Sequence, residues 1–130
     1  MSRILVVDDD ADFVEVTRIC LEGAGHQVLT ASNRDEGMRQ AREGGPDLLI
    51  LDIMMNEPDD GIAMAQDLRR SGFRKPILMM SSISKVTGLT YGKDDAVTPV
   101  DDFLEKPVSP DVLLGRVSKL LKTRAGRKTT

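Results

Sequence analysis

The chain has no tryptophan, one tyrosine, three phenylalanines, one cysteine and one histidine. So few aromatics leave little from which to build the stacking platforms that bind single-stranded nucleic acid. One cysteine, Cys20, cannot form an internal disulfide; it fits a reducing compartment and reads as a small core residue. One histidine, His26, leaves no His/Cys cluster for zinc. No apolar run approaches the ~20 residues of a membrane span. The first aliphatic run, Ile4 to Val7, is too short for a signal peptide and leads straight into acids. These absences point to a cytoplasmic chain with no membrane partner.

What is present suits one globular domain: 130 residues, 40% apolar and 30% charged, with a net charge of -3. The charge is unevenly spread. The last twelve residues hold Lys119, Lys122, Arg124, Arg127 and Lys128 and no acid, so the remainder carries 13 basic against 21 acidic residues, a net of -8. Cations are favoured at helix C-termini, and the tail reads as a solvated helix end plus a frayed terminus.

The run Leu48-Leu49-Ile50-Leu51-Asp52 organises the rest. It is unbroken aliphatic, preceded by Gly44-Gly45-Pro46, and it ends on an acid. That is the signature of a strand buried on both faces, as in parallel sheets covered by helices. Three further runs behave alike. Arg3 to Val7 ends on Asp8-Asp9-Asp10, Pro76 to Met80 ends on Ser81-Ser82, and Asp101 to Glu105 ends on Lys106-Pro107. His26 to Ala31 is a fifth, weaker strand, suited to a sheet edge, with His26 structural at its start.

Helices are predicted between them. Ala11 to Glu22 has Asp10 or Asp12 as cap and Phe13, Val16, Ile19 and Cys20 on one face. Asn33 to Glu36 has capping-box form and opens a helix to about Glu43, with Met38 and Ala41 inward. Gly61 to Ser71 follows, with Ile62, Ala65 and Leu68 on one side. Ser84 to Val100 is rich in Gly and Thr, and a short helix is the expectation there. Ser109-Pro110-Asp111 starts the last helix, whose stripe is Val112, Leu113, Val117, Leu120 and Leu121 as far as about Lys122. Strand and helix alternate five times, which predicts βαβ units and a parallel α/β sheet with helices on both faces. The domain is expected to run over 1–123, with 124–130 as a disordered basic tail.

In open sheets of this kind ligands sit outside the carboxyl ends of the strands. Collected there are Asp8 and Asp9, Asp52, Ser81 and Lys106. Clustered carboxylates repel and call for a cation. Hard oxygen ligands with room for water suit Mg²⁺. A metal, a lysine and a hydroxyl around one carboxylate form a clamp for a phosphoryl group, and a carboxylate can be the nucleophile that accepts it.

With these four stretches in the same order, the chain resembles the receiver domain of two-component response regulators over nearly its whole length. The resemblance implies the flavodoxin-like, doubly wound (βα)5 three-layer sandwich, with five parallel strands in the order 2-1-3-4-5. It implies Asp52 as phosphoacceptor, charged by a sensor histidine kinase or a phosphotransfer protein. Asp9 would ligate Mg²⁺, with Asp8 helping and the backbone carbonyl of Met54 adding a ligand. Lys106 would contact the phosphoryl oxygens, with a cis bond to Pro107. Ser81 would be the switch hydroxyl and Phe103 the switch aromatic. The responding surface would be the helix after Ser82, the last strand and the last helix, open to an output partner or to a homodimer. Nucleic acid is not expected to bind within this chain, and no enzymatic turnover beyond self-phosphorylation and autodephosphorylation is implied.

Two departures stand out. Gly61 lies nine residues past Asp52 where the family pattern has eight, and Ser81 to Lys106 is about three residues longer than usual. Other readings fit less well. A degenerate receiver acting as a phosphate-independent binding module is opposed by the full residue set. An Asp-dependent phosphatase would give Asp52 no role. A calcium loop at Asp8-x-Asp10-x-Asp12 has Ile19 where it needs Glu. The chain is either a stand-alone receiver or a receiver from a longer protein.

Overall fold

The computed structural model describes residues 2–53, 60–82, 100–106 and 108–128. Five strands form one sheet: β1 (Arg3–Val7), β2 (Gln27–Ala31), β3 (Leu48–Asp52), β4 (Ile77–Ser82) and β5 (Asp102–Lys106). All neighbouring pairs are parallel and the order is β2-β1-β3-β4-β5, as the alternation and the resemblance led us to expect. Four helices lie among the described residues: α1 (Ala11–Gly23), α2 (Arg34–Glu43), α3 (Asp60–Arg70) and α4 (Pro110–Lys128). The helix expected between Ser84 and Val100 falls outside the described residues.

The sheet is buried on both sides because successive side chains of a strand point to opposite faces. Leu5, Val7, Leu49, Leu51, Ile77 and Met79 meet Ala41 of α2 and Met64, Ala65 and Leu68 of α3. Ile4, Val6, Leu48, Ile50, Leu78 and Met80 meet Leu21 of α1 and Leu113, Val117 and Leu120 of α4. Each fully buried aliphatic chain contributes about 1.5–3 kcal/mol relative to exposure, so the two layers dominate stability.

Local signals set the helix ends. The Asp10 side chain caps α1, accepting from the amides of Asp12 and Phe13. Asn33 caps α2 by accepting from the Glu36 amide at 2.8 Å, and Glu36 reaches back to the Ser32 amide at 3.0 Å rather than to the cap itself. The Ser109 hydroxyl accepts from the Val112 amide at 3.3 Å at the start of α4.

The structure revises three parts of the pattern. Val16 and Ile19 of α1 are 63% and 57% exposed. The inward stripe runs instead through Thr17 and Leu21, flanked by Phe13, Val14 and Cys20. A threonine in mid-stripe had hidden the true face. Val112 is exposed in the same way, and Leu114 takes its place against the core. Finally, β4 continues through Ser82 and α4 runs on to Lys128, past the end of its apolar stripe.

Candidate functional site at the carboxyl edge of the sheet

Register places the acids. Val7 of β1 pairs with Leu51 of β3, so Asp8 follows at the level of Asp52, the last residue of β3. Both side chains are buried, each 1% exposed, while Asp9 is exposed. Oxygens of Asp8, Asp9 and Asp52 lie within 4.8 Å of one another. Two buried carboxylates on adjacent strands are costly without positive charge nearby.

Lys106, the last residue of β5, supplies one such charge from two strands beyond β3 and three beyond β1. Its Nζ lies 2.6 Å from Asp8 Oδ2 and 3.7 Å from Asp52 Oδ1. The other Asp8 oxygen accepts from the Asp10 amide at 2.9 Å. Three carboxylates around one ammonium still leave net negative charge. The donor set is all oxygen, two ligands buried and one facing solvent. That fits a divalent cation such as Mg²⁺, which keeps several waters and binds through one or two carboxylates.

The sequence-predicted residues therefore divide clearly. Asp8, Asp9, Asp52 and Lys106 are brought together. The backbone of Ser81 lies in β4, paired with Glu105 of β5 and so at the same edge. Phe103 is half-buried against the layer of α2 and α3, in register with Met79. Met54 and Pro107, the expected carbonyl ligand and cis-proline, fall outside the described residues. His26 lies at the opposite edge, where its Nδ1 faces the Ser2 amide at 3.4 Å. Burial pushes its imidazole below the usual value. Cys20 borders the core, and burial pushes its thiol up.

Two contacts at the site go beyond what the sequence shows. Gly61 opens α3 directly against the end of β3: its amide donates to the Ile53 carbonyl at 2.7 Å, and a Cβ there would come within 2.1 Å of the Asp52 carbonyl oxygen. Glycine at this point lets the helix lie against the backbone of the buried acid. The Asp-Gly dipeptide soon after a strand-end Asp was the available signal. The second is Phe13, whose ring centroid lies 4.2 Å from Lys106 Nζ. In the sequence it shows only as part of an apolar stripe.

Residues 4–118 match the response regulator receiver domain family. Among curated proteins, the chain is 36% identical over 125 residues to the alkaline phosphatase synthesis transcriptional regulatory protein PhoP of Bacillus subtilis, covering 93% of this chain and 49% of that protein. It is 35% identical over 124 residues to the DNA-binding dual master transcriptional regulator RpaA of Synechocystis, covering 94% and 50%. The chain thus spans about half the length of these relatives. Among solved structures, the receiver domain of NtrX from Brucella abortus superposes with a TM-score of 0.78 at 27% identity, over 92% of this chain and 98% of that one. A CheY-like receiver domain from Methanospirillum hungatei shares the fold with a TM-score of 0.83 at 22% identity, over 98% of each chain.

Proposed function

We propose, from the premise that this chain belongs to the response regulator receiver domains, that Asp52 is its phosphoacceptor and that phosphorylation there is its signal. The observation that carries the reading is the meeting of Asp8, Asp9, Asp52 and Lys106 at one sheet edge. An Asp52 carboxylate oxygen forms a bond to phosphorus as the P–N bond of a phosphohistidine breaks; with a small donor, a P–O bond breaks instead. Asp8, Asp9 and Asp52 would hold Mg²⁺, which when bound offsets the negative charge of the donor and the acceptor. Lys106 balances the phosphoryl oxygens from the β5 side. The chain modifies itself and is no enzyme in the sense of turning over a separate substrate.

The output follows from local charge. Phosphorylation gives Asp52 roughly two negative charges and three acceptor oxygens. Ser81, on β4 between Asp52 and Lys106 in strand order, is the hydroxyl we assign to answer them, with Phe103 moving in behind it. The response spreads to β5 and α4, which Arg116 joins by pairing with Asp102 at 2.9 Å. β5 is an edge strand, so a second copy or an output partner can meet the chain there. The donor is a sensor histidine kinase or a phosphotransfer protein. The names of the relatives suggest transcriptional control as the output of the larger protein in which such a domain works.

Intact mass after incubation with a small phosphodonor and Mg²⁺ tests this. Wild type should gain one phosphoryl group, and the gain should vanish with EDTA and in Asp52→Asn. A labelled Asp52→Asn protein would move the acceptor elsewhere.

A further inference from the structure

Lys106 does not yet sit where phosphoryl transfer needs it. Its Nζ is on Asp8, 2.6 Å away, and 3.7 Å from Asp52. The other oxygen of Asp8 is already engaged by the Asp10 amide. A cation that recruits Asp8 meets a carboxylate already holding the Lys106 ammonium, and repulsion between the two positive charges favours moving the lysine away. Once displaced, a lysine on a flexible four-carbon stem at the end of an edge strand has much freedom to lose before it can serve Asp52.

The Phe13 ring offers a hold that survives this exchange. It presents its π face 4.2 Å from the ammonium, and it competes for no metal. A ring face attracts the charge without fixing the direction of any N–H, so the ammonium can swing from Asp8 toward Asp52 and keep the ring's attraction throughout. Phe13 is itself anchored. Its amide donates to the Asp10 cap at 3.2 Å, and its side chain is half-buried against the layer of α1 and α4. Ring, cap, acid and lysine thus close a circuit: Asp8 to the Asp10 amide, Asp10 to the Phe13 amide, Phe13 to Lys106, and Lys106 back to Asp8.

We propose that Phe13 is a positioning residue for Lys106, acting as the pivot on which the ammonium passes from Asp8 to the phosphorylated acceptor when a divalent cation binds. The proposal rests on the reading of Asp52 as phosphoacceptor, and its test separates the two.

The first readout is independent of phosphorylation. The Lys106 side-chain methylene protons should be shifted upfield by the ring in wild type and Phe13→Tyr, with and without Mg²⁺. They should return to ordinary values in Phe13→Leu. The second readout is the rate of phosphoryl uptake from a small donor at saturating Mg²⁺. Phe13→Leu should slow it by ~2- to 30-fold, the range a cation–π contact spans, and Phe13→Tyr should restore it. In a Lys106→Ala background the Phe13→Leu change should have no further effect. Loss of the ring shift in wild type on adding Mg²⁺, or an undiminished rate in Phe13→Leu, overturns the proposal. So does an equal slowing by Phe13→Leu without Lys106. If wild type takes up no phosphoryl group, the reading of Asp52 falls, and the Phe13 pivot is then decided by the proton shifts alone.

Discussion

The two edges of the sheet are built on opposite principles. At the amino edge, charge is matched and used to join elements. The Arg3 amide donates to Asp47 Oδ2 at 2.9 Å, the Asp47 amide returns a bond to the Arg3 carbonyl at 2.6 Å, and the Arg3 guanidinium reaches the Gly44 carbonyl at 2.6 Å and Gln27 at 3.2 Å. Farther along, Arg69 pairs with Asp101 at 2.9 Å and also donates to the carbonyls of Phe73 and Lys75 at 2.9 and 2.8 Å. At the carboxyl edge three acids cluster, and Lys106 pairs with the two that are buried. The amino edge spends its polar groups on holding strands together. The carboxyl edge keeps an excess of charge of one sign, which suits the cation and the phosphoryl chemistry proposed for it.

That contrast can be broken or sharpened by experiment. The largest stability effect should come from Gly61→Ala, at the carboxyl edge itself. A methyl group driven against the Asp52 carbonyl has backbone on its far side and nothing flexible to displace, so a loss of about 3 kcal/mol is expected in denaturant unfolding. A neutral result would mean that α3 can retreat from β3 freely. Next is Mg²⁺. If the carboxyl edge is under electrostatic strain, the cation should stabilise wild type by about 2.7 kcal/mol at a hundred times its Kd, read as a rise in Tm. Asp52→Asn should respond much less. Equal responses would place the binding elsewhere.

Arg69→Ala should cost about 2 kcal/mol, since it strips charged hydrogen bonds from two carbonyls and from Asp101. Phosphoryl uptake should be unaltered. A large change in uptake would join the two edges functionally. The smallest effect belongs to His26. Burial, helped by the positive chain terminus, holds its folded-state pKa below the ordinary value. The unfolded chain then binds more protons, so His26 adds stability that is fully present above roughly pH 6.5 and is lost as the pH falls from there through the lower folded-state value. Comparison of urea midpoints from pH 5 to 7.5 should show a shallow slope that His26→Gln removes.

The same contrast explains what could be read from the sequence. Asp8, Asp52 and Lys106 were legible because each directly follows or ends a short run whose composition admits little but a strand, and parallel strands gather their carboxyl ends on one side. Such a site is fixed by topology, and topology is written in the pattern. The α1 face was misread because Val16 and Ile19 are apolar by composition yet lie outward, while Thr17 is polar and lies inward. Only packing against the sheet and α4 decides that. The closeness of Gly61 to Asp52 and of Phe13 to Lys106 depends on how two helices lie against strand ends, a three-dimensional fact with no periodic signature. The amino-edge network was equally invisible, since Arg3, Asp47 and Gln27 are each unremarkable surface residue types.

The site also has a history within each molecule. Asp8 and the lysine that meets it stand 98 positions apart along the chain, and the pairing of β1 with β3 spans two crossovers, through α1 and α2. Contacts so remote in sequence close late, because loop entropy must be overcome before they contribute anything. During synthesis the acids of β1 and β3 emerge first and wait for β5 to bring their counter-charge. The acceptor site proposed above is therefore complete only once β5 has joined the sheet, so competence for phosphorylation would report on the folding of the whole sheet.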